Sequence, residues 1–372
     1  MKNFKKIVTM LLVFAMVITL AACGGQKPAE STSDTSGEST SGAAGSGKTY
    51  EIGVTIYQFS DNFMTSYKNE LKKYFEEKAK ETGDTYNVEF FDGKNDQATQ
   101  TEQLQNFIAQ HKDLIIANLV DPTGADQVIN SAKEAGIPVL LINREPSMET
   151  MGLWPGKTTY VGVDARQSGI YQGEIIAELA NKGDIDGDGK VSYLMIQGDA
   201  GNVDAEQRTQ YSVETLEKTI PTNKLDIQRG NWDQAKGQEI AANALSKYGK
   251  KLEVIFSNND AMALGATQAI EGAGRKINED IYIVGVDALP EVVEKIGAGK
   301  FTGTVLNDAF NQAQTAGDVS LKLLAGEDVK PYYWHDYVKV TKAEDAQVSR
   351  KEPRPETMEE YKARMKEAYG IQ

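Results

Sequence analysis

The chain has 372 residues, 40% apolar and 25% charged, enough apolar material for two or three folded domains. With 40 basic against 54 acidic side chains its formal charge is −14, which argues against a nucleic-acid partner and against lying on an anionic membrane surface. One cysteine and two histidines, His111 and His335, exclude a disulfide framework and a Cys/His zinc site.

Residues 1–22 read as a leader. Lys2, Lys5 and Lys6 precede an apolar run, Ile7 to Leu20, too short for a membrane span and suited to a signal core. Leu20-Ala-Ala-Cys23 resembles a bacterial lipobox, so the single cysteine is expected to carry lipid as the new N-terminus of a lipoprotein. A Cys–His nucleophile in the folded body is thereby argued against. Residues 23–47 are Gly, Ser, Thr and Ala with a few charges, a flexible tether. The folded body is therefore expected outside the cytoplasm, anchored to the membrane by its lipid. Gly42 to Thr49 fits the phosphate-loop pattern by letter. It follows low-complexity chain and opens a strand, whereas phosphate binding needs a strand before the loop and a helix after it.

From Tyr50 onward strand-like and helical patterns alternate. Strands are predicted at 50–57, 86–91, 113–120, 139–142, 159–163, 191–197, 225–229, 252–257, 282–286, 303–306 and 337–340. Helices are predicted at 63–81, 98–110, 125–135, 168–179, 205–219, 234–247, 261–272 and 312–324, and a charged helix at 356–369. Runs such as Leu-Ile-Ile-Ala at 114–117 point to parallel sheets covered on both faces. About ten strands are too many for one small doubly wound domain. The expected fold is α/β, with two doubly wound parallel-sheet lobes.

Ligands of such sheets bind beyond the carboxyl ends of strands. Strand after strand here ends in Asp or Asn: Asp61, Asn118, Asn202 with Asp204, Asn259, Asp287 and Asn307. Arg208, Phe63 and Trp232 fall at the same level. Forked polar groups can pair adjacent hydroxyls, and aromatic rings can cover the C–H faces of a sugar ring. Singly, Asp and Asn are ordinary helix caps and turn formers. As a set they describe a pyranose site.

A second constellation is Asp184-Ile-Asp186-Gly-Asp188-Gly189, the opening of an EF-hand-like loop. Position twelve is Met195 rather than Glu. Either a distant acid completes a cation site or the loop is a solvated turn.

The segments GVTIYQFSDNFM (53–64), NLVDP (118–122), DAEQRT (204–209), SNNDAMALGA (257–266), VGVDALPE (284–291) and GTVLNDAFNQ (303–312) resemble the galactose/glucose-binding branch of the type 1 periplasmic sugar-binding family, in order, from about residue 48 to 345. The resemblance implies two lobes joined by a three-segment hinge. The first lobe would be 48–138 with 308–337, the second 139–307 with 338–348, and 349–372 a helical tail. Crossings are expected near Pro138–Val139, Asn307 and Tyr337–Val338.

By the same resemblance, Phe63 and Trp232 would stack on glucose or galactose. Asp61, Asn118, Asp204, Arg208, Asn259, Asp287 and Asn307 would bind hydroxyls and ring oxygen. Asn202 stands where the family has His, which puts affinity or epimer preference in question. The resemblance also implies a structural Ca²⁺ held by Asp184, Asp186, Asp188, the Lys190 carbonyl, Ser192 and the distant Glu253. Ser192 replaces a longer Gln. The implied function is capture of a monosaccharide by a monomeric, non-enzymatic protein that delivers it to an ABC permease. The alternatives are a sensor subunit and a site for another sugar such as a pentose. A glycosidase is disfavoured because the site acids share their space with Asn and Arg, which suits ground-state binding. A sugar-responsive repressor would need a DNA-reading helix pair where the lipobox stands.

Overall fold

The structure, a computed structural model, describes residues 47–347 and 352–371. The leader and all but the last residue of the tether lie outside the described residues. Among the described residues no helix is long and apolar enough to cross a membrane.

The first lobe begins with β1 (Thr49–Ile56), α1 (Asn62–Thr82), β2 (Thr85–Asp92), α2 (Gln97–Ala109) and β3 (Leu114–Ala117). It continues through α3 (Ala125–Ala135), β4 (Val139–Ile142), the short α4 (Met148–Met151) and β5 (Thr158–Val163). The second lobe holds α5 (Ala165–Ala177), β6 (Val191–Gln197), α6 (Val203–Glu217), β7 (Thr222–Arg229), α7 (Gln234–Tyr248) and β8 (Val254–Ser257). Then come α8 (Asp260–Gly272), β9 (Tyr282–Val284), α9 (Pro290–Gly297) and β10 (Thr304–Leu306). The chain returns to the first lobe for α10 (Ala309–Leu324) and β11 (Tyr332–His335), and crosses back for β12 (Val338–Val340). It ends with β13 (Arg354–Glu356) and α11 (Met358–Tyr369).

Two parallel sheets organise these elements. The first has the order β2-β1-β3-β4-β5-β11-β13 and is parallel except for β13. The second is β7-β6-β8-β9, all parallel, with β10 and β12 forming an antiparallel pair beside it. The central strands β3, β4, β6 and β8 are buried at every residue, as an apolar run flanked by helices on both faces requires. Helix starts are well marked: Asp61, Asp96, Asp164, Asn202, Asp233, Asn259 and Asp308 each accept a backbone N–H of the first turn.

The lobe boundary differs from the expectation. β4 and β5 pair with β3, so residues 139–163 belong to the first lobe and the first crossing falls at Asp164, not at Pro138–Val139. The fully apolar β4 is covered on both faces as a central strand of the first sheet, between β3 and β5. The chain crosses again at Asn307–Asp308 and at Asp336–Tyr337. A further return, which the resemblance does not imply, brings the chain back to the first sheet at β13. The tail is therefore docked. Tyr361 and Met365 of α11 are buried, and Tyr361 lies over Tyr332 and Trp334 with ring centroids 4.6 and 5.2 Å away.

Candidate functional site

The carboxyl ends of both sheets face one cavity between the lobes. Nine of the ten candidate residues line it: Asp61, Phe63, Asn202, Asp204, Arg208, Trp232, Asn259, Asp287 and Asn307. Asn118 does not. It is fully buried behind the wall, where its Oδ1 accepts the Tyr57 N–H at 3.2 Å and its Nδ2 donates to Asn143 Oδ1 at 3.1 Å. Its place in the wall is taken by Tyr57, Met64, Asn143 and Arg144, which the sequence reading missed. Asn143 and Arg144 directly follow β4, so the strand-end rule applied there would have found them.

The first lobe contributes a set of mutually fixed groups. Asp61 caps α1 by accepting the Met64 N–H at 2.7 Å, and its other oxygen accepts the Tyr57 hydroxyl at 2.7 Å. The Arg144 guanidinium lies 3.8 Å from the Tyr57 ring centroid. In the second lobe Asn202 caps α6 through its Oδ1, which accepts the Ala205 N–H at 3.0 Å. One turn on, Arg208 donates to the Asn258 carbonyl at 2.8 Å and to the Tyr337 hydroxyl at 3.0 Å. Helix α8 is drawn against α7 at Gly265, where a Cβ would come within 1.9 Å of the Gln234 carbonyl oxygen. That contact seats Asn259, its cap, beside Trp232, whose carbonyl accepts the Asn259 amide at 3.4 Å. At the second crossing Asn307 donates to Asp287 at 3.3 Å and accepts from Gln312 at 2.7 Å.

The electrostatics are those of a buried polar pocket. Burial raises the Asp61 carboxyl above the usual range, against the Met64 N–H and the Tyr57 hydroxyl. Burial likewise raises Asp204, against the nearby Arg208, and pushes Asp287 well up despite the same arginine. Among the described residues, three buried polar atoms of the wall have no protein partner: Asp204 Oδ1, Arg208 Nε and Trp232 Nε1. Each such atom costs on the order of 1–3 kcal/mol. Donors and acceptors left open together are matched by a guest that both donates and accepts, as hydroxyl groups do.

The acidic loop lies at the other end of the second sheet. The seven residues of β6 separate it from the cavity, about 23 Å of extended chain. Carboxylate oxygens of Asp184, Asp186 and Asp188 lie within 4.8 Å of one another. Asp184 accepts the N–H groups of Gly187 and Gly189 at 2.8 and 3.0 Å, which curls the loop around it. Glu253 is 1% exposed and accepts the N–H groups of Ile185, Asp186 and Ser192 at 2.6, 3.1 and 2.8 Å. Glu253 thus ties the loop to the sheet through backbone N–H groups, while the three Asp carboxylates form the loop's hard-oxygen cluster, donors of the kind Ca²⁺ takes.

Two α/β lobes joined by crossing segments, with a polar, aromatic-lined cavity at their facing strand ends, define a solute-binding clamp. The periplasmic binding protein domain family matches residues 52–328, and the chain belongs to that family. It is 38% identical over 281 residues to the D-galactose/methyl-galactoside binding periplasmic protein of Haemophilus influenzae, covering 74% of this chain and 82% of that one. A solute-binding protein of an ABC transporter from Bacillus halodurans, solved with bound myo-inositol, superposes with a TM-score of 0.69 at 28% identity, over 81% of this chain and 97% of that one. A Mycobacterium smegmatis protein in complex with β-D-fucofuranose gives 0.70 at 27%, over 80% and 92%. Family membership makes this an extracytoplasmic solute-binding protein rather than an enzyme.

Proposed function

We propose that the protein captures a hexose, galactose or glucose, between its lobes and hands it to the permease of an ABC transporter. The observation that carries this reading is the wall itself. Acceptors from Asp61, Asp204, Asp287 and Asn307, the Arg208 donor and one aromatic from each lobe converge on one cavity between the lobes. The galactoside-binding relative supports the choice of sugar. Contacts from both lobes favour the closed form, and ligand shifts the open–closed balance only by its greater affinity for that form. Asn202 has its carbonyl oxygen committed to the α6 cap, so its amide is the group left to donate to a hydroxyl. Asp184, Asp186, Asp188, Glu253, Ser192 and the Lys190 carbonyl would hold a structural Ca²⁺, and lipid on Cys23 would anchor the chain.

The test is calorimetric titration of the chain from Gly24 with glucose, galactose, ribose, arabinose and myo-inositol in calcium buffer. Tight one-to-one binding of either hexose, at least tenfold preferred, supports the reading. Preference for a pentose or for inositol overturns the choice of hexose, and Asn202 is then the first position to exchange for His. No heat with any of them overturns the sugar reading.

A further inference from the structure

We propose that Arg144 and Asp199 form a bolt across the cleft that sets both how slowly ligand leaves and how large a ligand is admitted; the ligand arms of this proposal rest on the sugar reading above. Arg144 follows β4 in the first lobe, and Asp199 follows β6 in the second. Their side chains are 4% and 15% exposed, and Arg144 Nη2 lies 3.2 Å from Asp199 Oδ2. The arginine is held in advance on its own lobe. Its other arm donates to the carbonyls of Leu119 and Val120, and its plane rests on Tyr57. Only the arm toward Asp199 crosses the cleft, so only that contact breaks when the lobes part.

The bolt also stands at a boundary of space. Arg144 and Asn202 line the cavity on one side and, with Asp199, a second recess of the cleft on the other. A substituent on a bound ring would have to pass where the guanidinium lies. An exposed rim ion pair would be worth little. This one is mostly removed from water and seated on a preset arginine, which is the setting in which loss of one partner appears in the dissociation rate.

The test uses Asp199→Ala and Asp199→Asn in the chain from Gly24, since Asp199 is not part of the cavity wall. In stopped flow, galactose should leave Asp199→Ala about tenfold faster, with association nearly unchanged. Lactose and phenyl galactoside, rejected by the parent, should gain measurable binding. Independently of any ligand, dyes on cysteines at Glu134 and Glu214, both exposed and on different lobes, report the distance between the lobes. Asp199→Ala should shift the ligand-free population toward the longer distance, and Asp199→Asn should do so in part. Unchanged release and unchanged size exclusion, with an unchanged distance distribution, overturn the bolt. A parent that binds no sugar overturns the proposed function instead, and the distance measurement then decides the bolt alone.

Discussion

Gly198→Ala separates the sugar-binding wall from the fold that carries it. Gly198 directly follows β6, below the Trp232 indole, and a Cβ there would lie 2.0–2.3 Å from three ring carbons. Carbon atoms pack at about 3.5–4 Å, so the ring must retreat by about 1.5 Å. Retreat is obstructed because the indole hangs from two consecutive left-handed residues, Asn231 and Trp232, with φ of 50° and 64°. The Gly198 backbone does not lie in the left-handed region, so alanine itself is tolerated there. The fold should therefore survive while the aromatic face moves out of register. If roughly half of an indole's ~200 Å² covers the sugar, about 100 Å² is lost, or about 2.5 kcal/mol at ~25 cal/mol per Å². That corresponds to about 70-fold weaker binding. Calorimetry gives the affinity, and a thermal melt of the ligand-free chain checks the fold. Parent-like affinity with an intact melt would show that the indole is not a wall of the site, and the stacking argument would fail with it.

Asp287→Asn should weaken galactose binding while stabilising the ligand-free protein. The Asp287 carboxyl is pushed well above its usual range by burial, so the folded form holds its proton where the unfolded chain has already released it, and stability is lost as pH rises through that window. The variant's gain in melting temperature should therefore be largest near pH 8 and shrink toward pH 4; a gain that grows with acidity would reverse the sign of the argument. Glu253→Gln puts an amide donor against a cluster of three backbone N–H groups, and should cost about 2–3 kcal/mol in the melt even with chelator present. Calcium should raise the parent's melting temperature, by about 2.7 kcal/mol of stability at a hundredfold excess over its Kd, and should leave the variant unmoved. Tyr361→Ala opens the stack over Tyr332 and Trp334 and should lower stability by about 3–5 kcal/mol, measured by denaturant melts; a loss below about 1 kcal/mol would mean that α11 does not depend on that stack.

The two-sheet architecture was legible because its signals are local. Helix α3 was placed at its observed ends, Ala125–Ala135, because Gly136 stops an unbroken amphipathic run. What was not legible depends on which sheet a strand joins. The sequence Val-Leu-Leu-Ile of β4 suits any central strand, and nothing within it names β3 and β5 as neighbours. β11 was missed for a related reason. Tyr-Tyr-Trp-His lies between Pro331 and Asp336, lacks an alternating pattern, and owes its strand to pairing with β5 and β13 and to the cover of α11.

The cavity wall was readable in proportion to how far each residue acts from a strand end. Asp61, Asn202 and Asn259 do two jobs with one side chain: each caps its helix and, from that cap position, lines the cavity. The capping signal is written in the sequence, so the site came with it. Asn118 shows the opposite case. It stands at a strand end like the others, yet both ends of its amide are engaged within the protein, holding Tyr57 and Asn143 in place. Arg144 also stands past a strand end, but nothing local names its pairing across the cleft, because its partners Leu119, Val120, Tyr57 and Asp199 lie on other segments and one of them on the other lobe. Residues that join the two lobes are thus the ones a strand-by-strand reading misses, and they are also the ones on which closure depends.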